Sequence, residues 1–241
     1  MRVAARPTER FFYGWVIVLV GAVLTFLGTG FYSYSRGVFL PSLAEELAGG
    51  SRFEIAMGFS IAAVTSALVA PFIGGILDKY SPKTVILVGI GFVTGSYLLL
   101  SFCQNLIQFY LIVGLGMGLG MTCMGNLAWH RTIISWFDHW RGRAISLGVL
   151  GASLAGVVMP PLVTSLVEAI GWRSAFVVFA IIVPSILIPL VVYFLKNRPE
   201  EIGEVRDGLV YSEAHKTTEV EDQAESRIWH WKEMIRFPAF W

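Results

Sequence analysis

Charge is scarce in this sequence: 15% of the 241 residues are Asp, Glu, Lys or Arg, whereas 55% are hydrophobic and the mean hydropathy is +0.66. A soluble domain of this size carries roughly a quarter charged residues. The apolar residues also stand in long blocks rather than at amphipathic spacing. The composition therefore excludes an ordinary soluble domain and indicates a protein whose solvent is the lipid bilayer.

Groups that carry chemistry are also rare. The two cysteines, Cys103 and Cys123, have neither metal-ligand spacing nor the number typical of a secreted disulfide scaffold. The sequence contains no nucleotide-binding loop, metal-ligand cluster or nucleophile–base arrangement. We therefore expect no enzymatic activity, no cofactor, no metal and no nucleic-acid partner, and any transport would be driven by gradients rather than by ATP.

Six segments are long and apolar enough to cross a bilayer, which takes about 20 mainly apolar residues. Their approximate limits are Phe12 to Val38, Phe53 to Leu77, Thr84 to Phe102, Leu106 to Trp129, Ala144 to Val167 and Ser174 to Leu195. Two of them are preceded by capping signals, Ser51 with Glu54 and Ser81 with Pro82. The sequence therefore predicts an all-helical integral membrane protein with six spans.

Basic residues lie almost entirely on one side of these spans. Of the 18 lysines and arginines, all but Arg36, Arg52 and Arg173 fall in the amino-terminal segment, in the second-to-third and fourth-to-fifth loops, or in the tail. Since cytoplasmic loops are enriched in Lys and Arg, we expect both termini in the cytoplasm and the spans in the cell (plasma or inner) membrane.

The chain turns polar after the sixth span. Residues 1–196 form the predicted six-helix bundle, and the acidic composition of residues 197–227 predicts a mostly disordered cytoplasmic linker. Apolar and aromatic residues return over residues 228–241. This last segment is either an amphipathic helix on the membrane surface or the approach to a seventh span, and we favour the second.

The loop between the second and third spans, GGILDKYSPK, resembles the loop signature of the major facilitator superfamily. Gly75, Asp78, Lys79 and Lys83 match its glycine, acidic and basic positions, while Ser81 stands where glycine is usual. A glycine lets two helices approach closely, and a carboxylate at the membrane edge meets a helix amino terminus or an arginine.

Other stretches resemble the monocarboxylate-porter and oxalate–formate-antiporter branch of that superfamily. They open the first and second spans, lead into the fifth span through Arg141 and Arg143, form the turn GWRSAF, and begin the linker with NRPEEIG. The resemblance covers nearly the whole chain. It implies the amino-terminal half of a major facilitator fold, built as two inverted three-helix repeats.

The resemblance implies secondary transport, by symport or antiport, of a small organic anion (a monocarboxylate or dicarboxylate) through alternating access. Arg36, near the outer end of the first span, is the candidate counter-charge, with Tyr34 beside it and Asn126 deeper in the fourth span. Each has a plainer interpretation: Arg36 snorkels to the interface, Tyr34 belongs to an aromatic belt, and Asn126 packs against another helix. Gly114 stands about where many proton-coupled members carry an arginine, so the resemblance does not extend to proton coupling.

A second group of candidates lies on the cytoplasmic side, where the resemblance implies a loop that switches conformation. Its members are Gly75, Asp78, Lys79, Lys83, Arg141 and Arg143. A half-carrier would also need a second six-helix half, either another chain or a second copy, to enclose a cavity. Two other hypotheses remain open: a six-helix module that binds or regulates a partner without transport, and an inactive truncated transporter.

Overall fold

The computed structural model describes residues 12–208, and all regular structure in that range is helical. Four continuous stretches form the first four spans: α1 (Gly14–Leu47), α2 (Arg52–Lys79), α3 (Pro82–Ser101) and α4 (Leu106–Trp136). A fifth stretch, Arg141–Phe194, is 54 residues long. As one helix it would measure about 80 Å, far more than the roughly 30 Å of a bilayer core.

Gly171 divides this long stretch into two spans. Its φ of 77° and ψ of 161° lie outside the helical region, in a conformation that favours glycine. The chain then returns to the face where it started, since the Tyr13 hydroxyl donates to the carbonyl oxygen of Phe194 over 3.0 Å. Residues 141–170 are therefore α5 and residues 172–194 are α6. With this division, the five helical stretches that are long and apolar enough to cross a membrane correspond to the six predicted spans.

The helices extend beyond the predicted apolar blocks. The first span was expected to end at Val38 and the fourth at Trp129, whereas α1 runs to Leu47 and α4 to Trp136. Hydropathy marks only the part of a helix that lies in hydrocarbon, and backbone hydrogen bonding continues into polar residues. We call the end of the bundle where α1 begins the amino-terminal face, and the other end the opposite face.

The two predicted caps differ in outcome. The Ser81 hydroxyl accepts from the amide of Thr84 over 3.2 Å, as expected of a cap before Pro82. The Ser51 hydroxyl makes no capping bond, so the predicted capping box is wrong at that helix start. Arg52 and its neighbours are exposed there, and water serves the free amides of an exposed helix end.

Close contacts through glycine join the helices in matching pairs. Gly151 of α5 lies against the backbone carbonyl of Ala22 in α1, and the Thr25 hydroxyl donates to the carbonyl of Gly148 over 2.8 Å. The counterpart of this contact joins α4 to α2, where Gly114 lies against Ile61. When the two repeats are compared, α1 corresponds to α4 and α5 corresponds to α2. The α1–α5 contact therefore corresponds to the α4–α2 contact, as expected of two inverted three-helix repeats.

The opposite face is held by one carboxylate. Glu46, near the end of α1, accepts from the indole of Trp172 over 2.7 Å and from the guanidinium of Arg173. Arg173 also donates to the carbonyl of Cys103 over 2.7 Å, in the α3–α4 connection. Below these bonds Phe39 and Phe176 stack with centroids 4.4 Å apart. At the opposite face, the end of α1, the start of α6 and the α3–α4 connection are thereby tied together.

The apolar surface is divided unequally among the helices. Of the most apolar 18-residue stretch of α2, only 17% is buried in the chain, whereas 50% of the corresponding stretch of α3 is buried. The buried positions of α2 are Ile55, Gly58, Ala62, Ile73 and Leu77. Most of α2 is therefore left to lipid or to another polypeptide.

Candidate functional site

A π-helical turn in α1 positions the predicted counter-charge. Residues Gly30–Tyr34 form this turn, and the buried Ser35 closes it, since its amide and its hydroxyl both donate to the carbonyl of Gly30, over 3.2 Å and 2.8 Å. The α-helix resumes at Arg36. Such turns are frequent at functional sites because they rotate the following residues around the helix axis.

Arg36 keeps most of its donors free. Its Nε donates to the carbonyl of Ser33 over 3.1 Å, and its guanidinium carbon lies 5.9 Å from the ring centroid of Phe59 in α2. Within residues 12–208, no carboxylate lies within 4 Å of Arg36. The Nη groups, with their two-pronged donor geometry, are therefore available to a ligand.

Arg36 forms one wall of an open groove of about 340 Å³ between the outer part of α1 and α2. The other lining residues are mostly small: Gly37, Leu40, Ala56, Phe59, Ser60 and Ala63. A positive charge above a wall of small side chains suits an anion with a modest apolar body, and the volume lies in the range of small-ligand sites.

Tyr32, not Tyr34, accompanies Arg36. Tyr32 lines a small cavity together with Arg36, and its ring centroid lies 6.4 Å from that of Phe59. Tyr34 lies on the other side of α1, with its ring against Gly156 of α5 and 41% of its surface exposed. Helical periodicity accounts for this pairing, because residues four apart share a face of a helix and residues two apart do not.

Asn126 lies well away from Arg36. It is exposed and begins the helical segment Asn126–Trp136 of α4. It lies about 15 Å from the end of α4 at the amino-terminal face, whereas Arg36 lies about 33 Å along α1 from that face. The two are therefore separated by about 18 Å in depth and do not line one groove.

At the amino-terminal face, Asp78 of α2 and Arg131 of α4 form an ion pair. The Arg131 Nη1 donates to Asp78 Oδ1 over 2.6 Å, and both side chains are exposed, at 46% and 69%. An exposed pair contributes little to stability, about 0–1 kcal/mol. The pair joins α2 and α4, which belong to different repeats, and breaking it costs little free energy.

The basic residues at the start of α5 are held within their own loop. Arg141 donates to Asp138 over 3.2 Å, and the guanidinium carbon of Arg143 lies 4.5 Å from the ring centroid of Trp140. The other three residues predicted for the switching loop, Lys83, Lys79 and Gly75, have different surroundings.

Lys83 donates from its ammonium to the carbonyl of Val192 over 2.6 Å and from its amide to the side-chain oxygen of Asn197 over 3.2 Å. Lys79 is exposed and lines a polar cavity of about 620 Å³ with Asp78 and Arg131. The expected close helix approach at Gly75 is not made within residues 12–208, where a Cβ at that position would meet open space.

Residues 195–207 cross this face as a docked segment, which we call the strap. Its Lys196 and Asn197 carbonyls accept from Trp136 and Ser135 over 3.0 Å and 2.7 Å. The linker motif NRPEEIG did not indicate that this segment is docked, because the partners of the strap are separated from it by 60 residues or more.

Two carboxylates of the strap also accept hydrogen bonds from other parts of the chain, the start of α1 and the α4–α5 connection. Glu204 accepts from the amide of Tyr13 over 3.1 Å, and Asp207 from the amides of Asp138 and His139 over 3.1 Å and 2.8 Å. Burial, and secondarily the Glu204 carboxylate, raise the pKa of Tyr13 above its ordinary value. Its hydroxyl therefore stays protonated and continues to donate to Phe194.

Across residues 12–208 no group of three or more His, Cys, Asp or Glu side chains is arranged to hold a metal ion. The described residues provide two candidate features. One is the groove with the guanidinium of Arg36 beside it, and the other is the charged amino-terminal face with the exposed Asp78–Arg131 ion pair.

Comparison with known proteins shows the family to which this chain belongs. Residues 19–241 match the profile of the Major Facilitator Superfamily. An uncharacterized transporter of this type from Bacillus subtilis, YcxA, is 25% identical over 190 residues, which is 79% of this chain and 46% of that protein.

Two further relatives carry more specific names. The Fujikurins efflux protein of Gibberella fujikuroi is 29% identical over 162 residues, covering 67% of this chain and 34% of the relative. Human Monocarboxylate transporter 6 is 28% identical over 167 residues, covering 69% and 32%. The chain thus spans less than half the length of these three relatives. Since the superfamily profile covers most of its residues, the chain is a member of the major facilitator superfamily, an integral membrane protein of a family of transporters.

Proposed function

We propose that this chain supplies the amino-terminal half of a secondary transporter that moves a small organic anion, a monocarboxylate or dicarboxylate, by alternating access. The observation that carries the proposal is Arg36, whose guanidinium lies free above a groove of small residues near the outer end of α1. A carboxylate that enters a low-dielectric cleft needs a counter-charge, because an unpaired buried ion costs several kcal/mol.

The carrier is expected to need a second six-helix half. The exposed apolar length of α2 supports this, since a transport cavity in this superfamily lies between two halves. In this arrangement the Asp78–Arg131 pair, together with Lys79, Lys83, Arg141 and Arg143, forms the switching region at the amino-terminal face, which the distribution of basic residues assigns to the cytoplasm.

Uptake of labelled monocarboxylates and dicarboxylates into proteoliposomes tests the proposal. We expect uptake when the chain is combined with a second six-helix half, for instance that of the Bacillus subtilis relative, and none from the chain alone. Saturable uptake by the chain alone would contradict the need for a second half. No anion uptake in either case would favour the alternatives, a non-transporting six-helix module or an inactive truncated transporter.

A further inference from the structure

A buried tyrosine of α3 lines the small cavity beside Arg36. Tyr97 is 2% exposed, and it shares this cavity, which has a volume of about 20 Å³, with Arg36 and Tyr32 of α1. Its ring packs against two phenylalanines of α6, with its centroid 6.1 Å from that of Phe176 and 5.6 Å from that of Phe179. The aromatic contacts therefore fix the position of this ring inside the bundle.

The hydroxyl of Tyr97 has no hydrogen-bond partner within residues 12–208. Two other tyrosines of that range, Tyr13 and Tyr110, each donate their hydroxyl to a backbone carbonyl over 3.0 Å, whereas Tyr97 makes no such bond. A buried tyrosine hydroxyl normally has a partner, because leaving it without one costs free energy. The unpaired hydroxyl therefore points to a polar group that enters the cavity from outside this part of the chain.

The polar groups around the cavity lie near one another. The hydroxyl of Tyr97 is close enough to that of Tyr32 to interact with it electrostatically, and Tyr32 interacts in the same way with Arg36. The other lining residues are all apolar, so Arg36 carries the one charge among the described residues that line this cavity. A guanidinium only donates hydrogen bonds, and both hydroxyls can donate as well. Three donors, one of them positive, suit an acceptor with negative charge.

The cavity and the groove meet at Arg36. Both spaces have Arg36 and Phe59 in their walls, and the groove has a volume of about 340 Å³. A volume of about 20 Å³ holds one water-sized group. The two spaces together therefore suit a ligand that places one oxygen in the cavity and a larger body in the groove.

We propose that one carboxylate oxygen of the carried anion enters this cavity and accepts a hydrogen bond from the Tyr97 hydroxyl, while Arg36 pairs with the carboxylate. The rest of the anion then lies in the groove. The inference rests on the proposed function and adds a residue of α3 to the binding site, which the sequence had assigned to the first and fourth spans alone.

Thermal unfolding of the purified chain in detergent micelles measures this binding without transport, because a ligand that binds the folded state raises Tm. We expect Tm to rise saturably with potassium acetate and not with potassium chloride at the same ionic strength. Tyr97→Phe keeps the buried ring and removes the hydroxyl, and we expect it to weaken acetate binding about tenfold. Tyr193→Phe, the same change at an exposed position of α6, is the matched control and should respond as the parent does.

The stability of Tyr97→Phe without acetate separates a binding role from a structural one. Because the hydroxyl has no partner within residues 12–208, its removal should leave Tm unchanged or slightly raised, whereas the loss of a structural hydrogen bond would lower it. A lower Tm in ligand-free Tyr97→Phe, an acetate response equal to that of the parent, or no response in the parent chain would each overturn the inference.

Uptake by the completed carrier distinguishes a failure of this inference from a failure of the proposed function. Tyr97→Phe should raise the anion concentration for half-maximal uptake about tenfold at an unchanged maximal rate, as expected when a binding contact is lost. If Arg36→Gln loses the acetate response and Tyr97→Phe keeps it, the role of Tyr97 is wrong and the proposed function stands. If the acetate response depends on Tyr97 but no anion is taken up, the binding site stands and the proposed transport is wrong.

Discussion

At the scale of single residues, the sequence singles out Arg36 as the candidate counter-charge, and that role stays a prediction. Arg36 stood out because a cation near the end of an apolar block is unusual, and the structure indeed leaves its guanidinium free in a groove. Proximity in sequence favours Tyr34 as its companion, whereas the structure places Tyr32 beside Arg36 and Tyr34 beside α5. Helical spacing is the better guide here, because residues four apart share a face of a helix and residues two apart do not.

Arg36→Gln is expected to lower anion uptake by the completed carrier about tenfold, which corresponds to about 1.4 kcal/mol of lost anion binding. Arg36→Lys should be milder, since it keeps the charge and loses only the two-pronged donor geometry. The measurement is initial uptake of a labelled carboxylate. Arg52→Gln, which removes an exposed arginine from the start of α2, is the control and should transport normally. Parental uptake by Arg36→Gln would reduce Arg36 to an interfacial anchor.

Asp78→Asn is expected to lower the maximal transport rate several-fold with little change in apparent affinity. The reason is position: Asp78 pairs with Arg131 at the amino-terminal face, far in depth from the groove at Arg36. Asp138→Asn, which breaks a pair inside a single loop, is the matched control. A large loss of affinity at an unchanged maximal rate would contradict a switching role for Asp78.

At the scale of helices, glycine decides which elements approach. Gly151 of α5 lies against the Ala22 carbonyl, and Gly21 and Gly148 enclose the ring of Trp129. The sequence showed many glycines in spans but not which of them touch a neighbour. Gly75, the glycine of the loop signature, faces open space within the described residues, whereas Gly148 and Gly151 of α5 make close contacts.

Gly151→Ala is expected to lower the free energy of unfolding by about 1–3 kcal/mol, because the new methyl group overlaps the Ala22 carbonyl and forces α1 and α5 apart. Gly142→Ala in the same helix has open space around it and should leave stability unchanged or slightly raised. Thermal unfolding in one detergent compares the two. Equal stability of both variants would show that the α1–α5 contact is looser than described.

At the scale of the whole molecule, both faces of the bundle are fastened by hydrogen bonds. Glu46 ties the outer loops, and the strap joins the start of α1 to the α4–α5 connection. The acidic composition of residues 197–227 predicted a linker, but the strap shows that residues 197–207 are docked. The prediction for residues 228–241 falls outside the described range and stays a prediction.

Both termini are expected on the cytoplasmic side. Reporter fusions at Met1 and at Trp241 measure this, with a fusion in the α5–α6 turn beside Gly171 as the control for the other side. The physical reason is the excess of Lys and Arg in the loops of the amino-terminal face. Reporters at the two ends that reported opposite sides would contradict an even number of spans.

The bilayer as solvent and the family follow from the sequence alone, because both depend on quantities that add along the chain, namely apolar length and local motif spacing. Tertiary structure alone decided the π-helical turn before Arg36, the extended conformation of Gly125 within α4 and the docking of the strap. These three features depend on side chains that are distant in sequence and competing for the same space or the same backbone donors. A periodicity or a motif cannot encode such competition, and so these three features could not be predicted from the sequence.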